Sequence, residues 1–380
     1  MAVLSLAAGV FGLLTAEHLH ASLPPPIAAS FTVSEALAGH SVTATAFAAL
    51  LAGLLLGITR RLDLRVIMLG CTGLMIVSNI LVAPAPGPYV VPAMRVPLGL
   101  GGFWSMALAV AMRLVPACQI PRALPIVFSG ISVATVVSVP LGSVLGWCSA
   151  FWAAALLGIC TLAFQWLALP RMTAHRSTRT DSVAGLLRRP GIAIGMAGCI
   201  LAHTGQYVLL TYIRPMLEAI TPLDVEHLAW LLGFGAANFA GTLLAGSLPE
   251  RSLRLTLIMM PAVICATELG LETLSLQRQG LSLLAALRGM AFGGIPVAWS
   301  SWAARALPDQ AESAGGMVVA AMQSSIAAGA TLGGIAFRFG GTATALLTGS
   351  MATGVAAIVI ALAMRRQAAE LGIVRASTKC

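Results

Sequence analysis

Glu17, Arg95 and Arg288 each stand within or at the end of a long apolar run. An ionisable side chain placed inside a lipid-crossing helix costs about 2.5–3.5 kcal/mol on insertion scales, so it faces a cavity or a partner and marks an ion or solute path. Glu17 is the only carboxylate of the first run and has His18 and His20 beside it. Such a carboxylate can load and release a proton as its hydration changes. The alternative is a helix end already in the headgroups before Pro24-Pro25-Pro26. His203 is a second proton-carrying candidate, or a packed core histidine. Arg95 and Arg288 could hold a polar ligand or snorkel toward the interface. Gln206, Tyr207, Asn238 and Gln323 offer hydrogen bonds to a polar ligand or to a neighbouring helix. Trp104 and Trp299 could stack on a base or sugar ring, though packing is the commoner use of an aromatic side chain.

These residues need apolar helices to position them, and the composition supplies little else. Of 380 residues, 58% are hydrophobic and 9% charged, with a mean hydropathy of +0.92. A water-soluble domain of average usage does not approach those values. At about 20 residues per crossing the chain has room for roughly twelve spans. Apolar runs between charges, prolines and turn residues place them near Ala2–Ser22, His40–Ile58, Leu64–Ala83, Val90–Met112, Leu124–Leu145 and Phe151–Leu169. A second set follows near Ile192–Tyr212, Leu228–Leu248, Leu255–Leu274, Leu281–Ala304, Gly315–Phe337 and Thr342–Met364. The expected organisation is an N-terminal six-helix bundle over 1–170, a linker over 171–190, a C-terminal six-helix bundle over 191–366 and a tail over 367–380. The first run begins at Met1 without a charged leader and reads as a retained span.

Charge distribution tests that count. Loops on the cytoplasmic side carry an excess of Lys and Arg. With the amino terminus inside, outer loops hold only Arg214, Arg278 and Arg338, against seventeen basic residues in inner loops and tail. Both termini are therefore expected in the cytoplasm of a cell with this protein in its inner membrane. The net charge of +9 follows from the same asymmetry and calls for no nucleic-acid partner. Seven scattered cysteines show no C-x-x-C spacing, so neither a metal site nor a redox pair is expected.

The halves repeat each other. Gly53 and Gly241, Arg95 and Arg288, Arg113 and Arg305, and Gly142 and Gly333 recur at nearly one offset, the trace of a carrier built from two similar bundles. By that offset Glu17 falls opposite Gln206, as expected of a site at a pseudo-twofold interface. The fourth span carries Arg95-Val96-Pro97-Leu98-Gly99, and the fifth Val139-Pro140-Leu141-Gly142 followed by Gly146-Trp147-Cys148. On these elements the chain resembles the major facilitator superfamily, and within it the drug:proton antiporters. Cys148 stands where that pattern has arginine. The block Pro296-Val297-Ala298-Trp299-Ser300-Ser301-Trp302, with Arg305, Asp309-Gln310-Ala311-Glu312 and Gln323, is similar to purine ribonucleoside efflux pumps and their sugar-efflux-like relatives.

The resemblance implies an all-α membrane protein of twelve transmembrane helices in two pseudo-symmetric six-helix bundles. It implies a monomer without cofactor, whose partners are a small-molecule substrate, protons and the lipid bilayer. Gating and structural roles would fall to Gly57, Asp63 and Arg65, to Pro140 and Gly142, and to Gly246, Glu250 and Arg251. The expected function is proton-coupled efflux by alternating access, of a nucleoside-like solute or else a sugar or drug. An enzyme would want H-E-x-x-H or G-x-S-x-G, and neither occurs. A non-transporting sensor would want an appended signalling domain.

Overall fold

The computed structural model describes residues 1–22, 30–32, 45, 47–49, 51–52, 63–87, 89–100, 103–116, 119–172, 183–210, 225–273, 278–308 and 310–370, and among these there is no strand. The helices in chain order are α1 (Ala2–Ser22), α2 (Leu64–Val82), α3 (Val91–Leu100), α4 (Phe103–Leu114), α5 (Ile120–Leu145), α6 (Trp147–Ala168), α7 (Val183–Leu187), α8 (Ile192–Leu210), α9 (Val225–Thr273), α10 (Arg278–Ala306) and α11 (Ala311–Glu370). The expected second span, Gly57 within it, lies largely outside the described residues. Among the described residues, seven helical runs are long and apolar enough to cross a membrane.

Two of the helices, α9 and α11, each hold more than one crossing. At about 1.5 Å per residue, 60 residues of α11 would reach three bilayer thicknesses. It turns instead at Gly340 and Gly341, whose φ values are −153° and +65°. The second is a left-handed conformation that glycine adopts without a Cβ penalty. The 49-residue α9 folds back as well. A Cβ on Gly294 of α10 would lie 3.0 Å from Met260 Sδ and 3.4 Å from Ala245 Cβ, both of α9. Those two residues would stand about 22 Å apart along a straight helix, so the chain must reverse between them. With these turns counted, α1, α2, α3–α4, α5, α6, α8, the two limbs of α9, α10 and the two limbs of α11 follow the order of the expected spans.

The described chain forms two compact units. One comprises Met1–Val115, Ile126–Thr180 and Leu307–Gln323, the other Pro116–Pro125, Asp181–Ala306 and Ser324–Cys380. Within the first, α2 buries Met68, Cys71, Thr72, Met75, Ile76, Asn79 and Val82, a stripe at helical spacing. Val66, Leu74, Val77 and Leu81 on its other side are exposed. A helix that is apolar all round, with one side packed and the other bare, suits lipid and not water. Leu19, Val82, Ala83, Ala85, Val91, Ala150, Phe151 and Ala154 form a buried cluster beside Arg95. The turn into α6 passes through Gly146 at φ +72°, which gives the glycine of the Gly146-Trp147 element a backbone reason to be there.

Candidate functional site

In the first unit Arg95 is fully buried on α3. Its Nη1 donates to Asn79 Oδ1 of α2 at 3.1 Å, and its Nη2 donates to the carbonyl oxygen of Ala16 on α1 at 3.0 Å. The guanidinium also lies 5.6 Å from the centre of the Phe151 ring on α6, within cation–π range. Snorkelling is thereby ruled out for Arg95, because the head group is held by three helices. Glu17, partly buried, follows Ala16 directly on α1. The sequence-predicted acid thus stands one residue along α1 from the carbonyl that Arg95 holds.

The second unit repeats the hydrogen-bonding pattern of this cradle with one chemical change. Arg288 of α10 is buried, and its Nη2 donates to the Gln206 carbonyl oxygen of α8 at 3.0 Å and to Glu268 Oε1 of α9 at 3.2 Å. Neither charged side chain is more than 2% exposed. Arginine, carbonyl from the first helix of the half and polar group from the third helix recur, but Glu268 replaces Asn79. The equivalence that the arginines define sets Gln206 opposite Ala16, one residue from the position of Glu17. Glu268 Oε2, Arg288 Nε and Nη1, and Gln206 Oε1 are buried without hydrogen-bond partners. Unpaired polar atoms at such depth are costly and mark a place where a polar group from outside the protein gains most.

Glu268 is the residue that sequence reasoning missed. It sits in the expected ninth span, and the insertion-cost argument applied to Arg95 and Arg288 applies to it equally. Thr72 and Gln165 were missed too. They join α2 to α6 by a buried hydrogen bond of 2.7 Å from Thr72 Oγ1 to Gln165 Oε1.

The other candidates are more dispersed. His203 is buried on α8 with Nδ1 2.8 Å from the Cys199 carbonyl oxygen and Nε2 unpartnered. Tyr207 makes an edge contact with Phe292 of α10, ring centres 6.0 Å apart. Asn238 is buried on α9, where its carbonyl accepts from Thr242 Oγ1 at 2.9 Å. Trp299 packs edge-on against Trp302 at 5.5 Å, and Gly195 and Gly198 of α8 lie against these two rings. Gln323 is partly buried on α11, and Gly246 is buried on α9.

Asp63 caps α2, accepting from Arg65 N at 2.8 Å and from Met172 N at 3.0 Å. Arg65 Nη2 donates to the Trp166 carbonyl oxygen, and the guanidinium lies 5.4 Å from the Trp166 ring centre. These two motif residues therefore fasten the start of α2 to the end of α6. Trp104, Pro140, Gly142, Glu250 and Arg251 fall on helices, but their side chains lie outside the described residues. Among the described residues no group of acidic, histidine and cysteine side chains could hold a metal.

A family model described as Major Facilitator Superfamily matches residues 4–330. A Pseudomonas aeruginosa protein named transcription regulatory protein OpdE is 38% identical over 379 residues, spanning 96% of this chain and 94% of that protein. A Salmonella paratyphi B protein named purine ribonucleoside efflux pump NepI is 36% identical over 373 residues, again spanning 96% and 94%. The crystal structure of the human organic anion transporter MFSD10 (TETRAN) superposes with a TM-score of 0.78 at 16% identity, covering 95% of this chain and 98% of that one. At that identity the likeness is one of fold.

Proposed function

The chain belongs to the major facilitator superfamily, and from that premise we propose that it exports a small, purine-nucleoside-like solute in exchange for protons by alternating access. It is a multi-pass membrane transporter and not an enzyme. The observation that carries the antiport reading is that Glu17 directly follows Ala16, whose carbonyl oxygen accepts from the buried Arg95 guanidinium. Exchange needs a group that holds a proton in one state and surrenders it in another. A carboxylate next to a fixed guanidinium meets that need, because a change of hydration shifts the balance between proton and arginine.

The name of the Salmonella relative supports a nucleoside, with Arg288, Gln206, Tyr207, Asn238, Trp104, Trp299 and Gln323 as candidate contacts and His203 as the second proton site. Sugar or drug efflux would use the same cradles with a different pocket. The name of the Pseudomonas relative supports a regulatory reading, in which the fold senses a solute without moving it.

Uptake by inverted membrane vesicles, with and without a pH gradient, across nucleosides, sugars and cationic drugs decides among these. Gradient-driven uptake of nucleosides is the expected result. Glu17→Gln should abolish accumulation against a gradient while solute-for-solute exchange persists. Accumulation by that variant with ordinary pH dependence would remove Glu17 from the coupling role and leave His203 to be tested. No movement of any solute would favour the regulatory reading.

A further inference from the structure

The two arginine cradles differ in one hydrogen-bond partner. Arg95 is bonded to a neutral amide, Asn79, sixteen residues before it. Arg288 is bonded to a carboxylate, Glu268, twenty residues before it. The remaining partner, a carbonyl on the first helix of the half, is the same in both. We propose that position 79 assigns proton response to the first half: neutral Asn79 leaves the charge of Arg95 to Glu17, whereas Glu268 holds Arg288 in a closed ion pair.

This inference rests on the antiport reading and adds to it a residue that neither binds solute nor carries a proton. A single guanidinium can be compensated by one carboxylate. In the second unit that carboxylate is already bonded at 3.2 Å, with both groups buried, so exchanging it for a proton would strand a charge. In the first unit α2 contributes Asn79 and α6 contributes Phe151, neither of them titratable. The acid of α1 is Glu17, one residue beyond the Ala16 carbonyl that Arg95 holds, with His18 next along that helix and its Nδ1 buried without a partner. Around Glu268, α10 supplies Arg288, α9 supplies Cys265, and Gly349 of α11 approaches through backbone alone. Asn79 is thus a positioning residue: it orients the guanidinium through Nη1 without neutralising it.

Asn79→Asp tests this. With an acid bonded directly to Arg95, Glu17 loses its partner, and the ratio of vesicle uptake with a pH gradient to uptake without one should fall to about 1. A ratio equal to that of the unmodified protein overturns the inference. A second measurement stands without transport. If the introduced carboxylate and Glu17 compete for one guanidinium, Asn79→Asp should raise the thermal midpoint of Glu17→Gln protein in detergent and not that of the unmodified protein. Equal shifts in both backgrounds would show that the two positions do not share Arg95. Failure of the antiport reading is recognised separately, by vesicle uptake in the unmodified protein that does not respond to a pH gradient.

Discussion

Arg288 sits in apolar protein with Nη2 shared between a carbonyl and a carboxylate, and with Nε and Nη1 lacking acceptors. Its charge is therefore supported on one edge of the guanidinium only. Removing one member of a buried ion pair strands the other, at about 3–5 kcal/mol. Glu268→Gln should lower stability on that scale, read as a drop in the thermal midpoint in detergent. Glu268→Gln combined with Arg288→Met removes both charges and should recover much of the loss. Equal destabilisation by the single and the double variant would mean that Glu268 matters for something other than Arg288. Arg95 differs because an amide and a carbonyl hold it without cancelling its charge. At this scale the sequence was legible where rarity drew the eye, as with Glu17, Arg95 and Arg288. It was opaque for Trp299, because stacking on a ligand and packing on Trp302 ask for the same side chain. Glu268 shows a different gap: its meaning lies in Arg288, and the contact is tertiary.

Helix ends show where local chemistry takes over from hydropathy. The fall in apolarity located α1 at Ala2–Ser22 and α2 at Leu64–Val82 within a residue of expectation. It placed the start of α6 four residues late, because Trp147 follows a left-handed glycine and helix begins there at once. Hydropathy also could not show that the loops within α9 and α11 would be so tight that helical backbone runs almost through them. Asp63 is the clearest end signal. Its side chain accepts the Arg65 N–H and, across the unit, the Met172 N–H. Loss of such a cap costs about 0.5–2 kcal/mol, and the bond to Met172 adds to it. Asp63→Ala should therefore lower the thermal midpoint and speed proteolysis after Trp166, where α6 and the chain beyond it lose their tie. Asp63→Asn, which keeps the acceptor, should be milder. Equal effects of Ala and Asn would point to charge and not to capping.

For the molecule as a whole, the arginine distribution leads to the expectation that the central segment 171–190 faces the cytoplasm. In Ser177→Cys, a membrane-impermeant thiol reagent should modify position 177 only after cells are opened, in a background from which the native cysteines are removed. Modification in intact cells would reverse the topology and with it the direction of every proposed proton step. The Gly340–Gly341 turn bears on a different matter, the making of the chain. Two apolar limbs joined by two glycines leave no stretch of backbone long enough to dwell in water on its own. Arg338 and Phe339, both exposed, sit at the tip. With the expected topology, such a pair enters the bilayer together, as a hairpin that carries one arginine across at its head. A ribosome paused just after Gly341 would hold half of that hairpin, with its charged tip still on the side of synthesis. The last crossing of this protein is thus expected to be committed late and in one step, when the limb after the turn has cleared the exit tunnel.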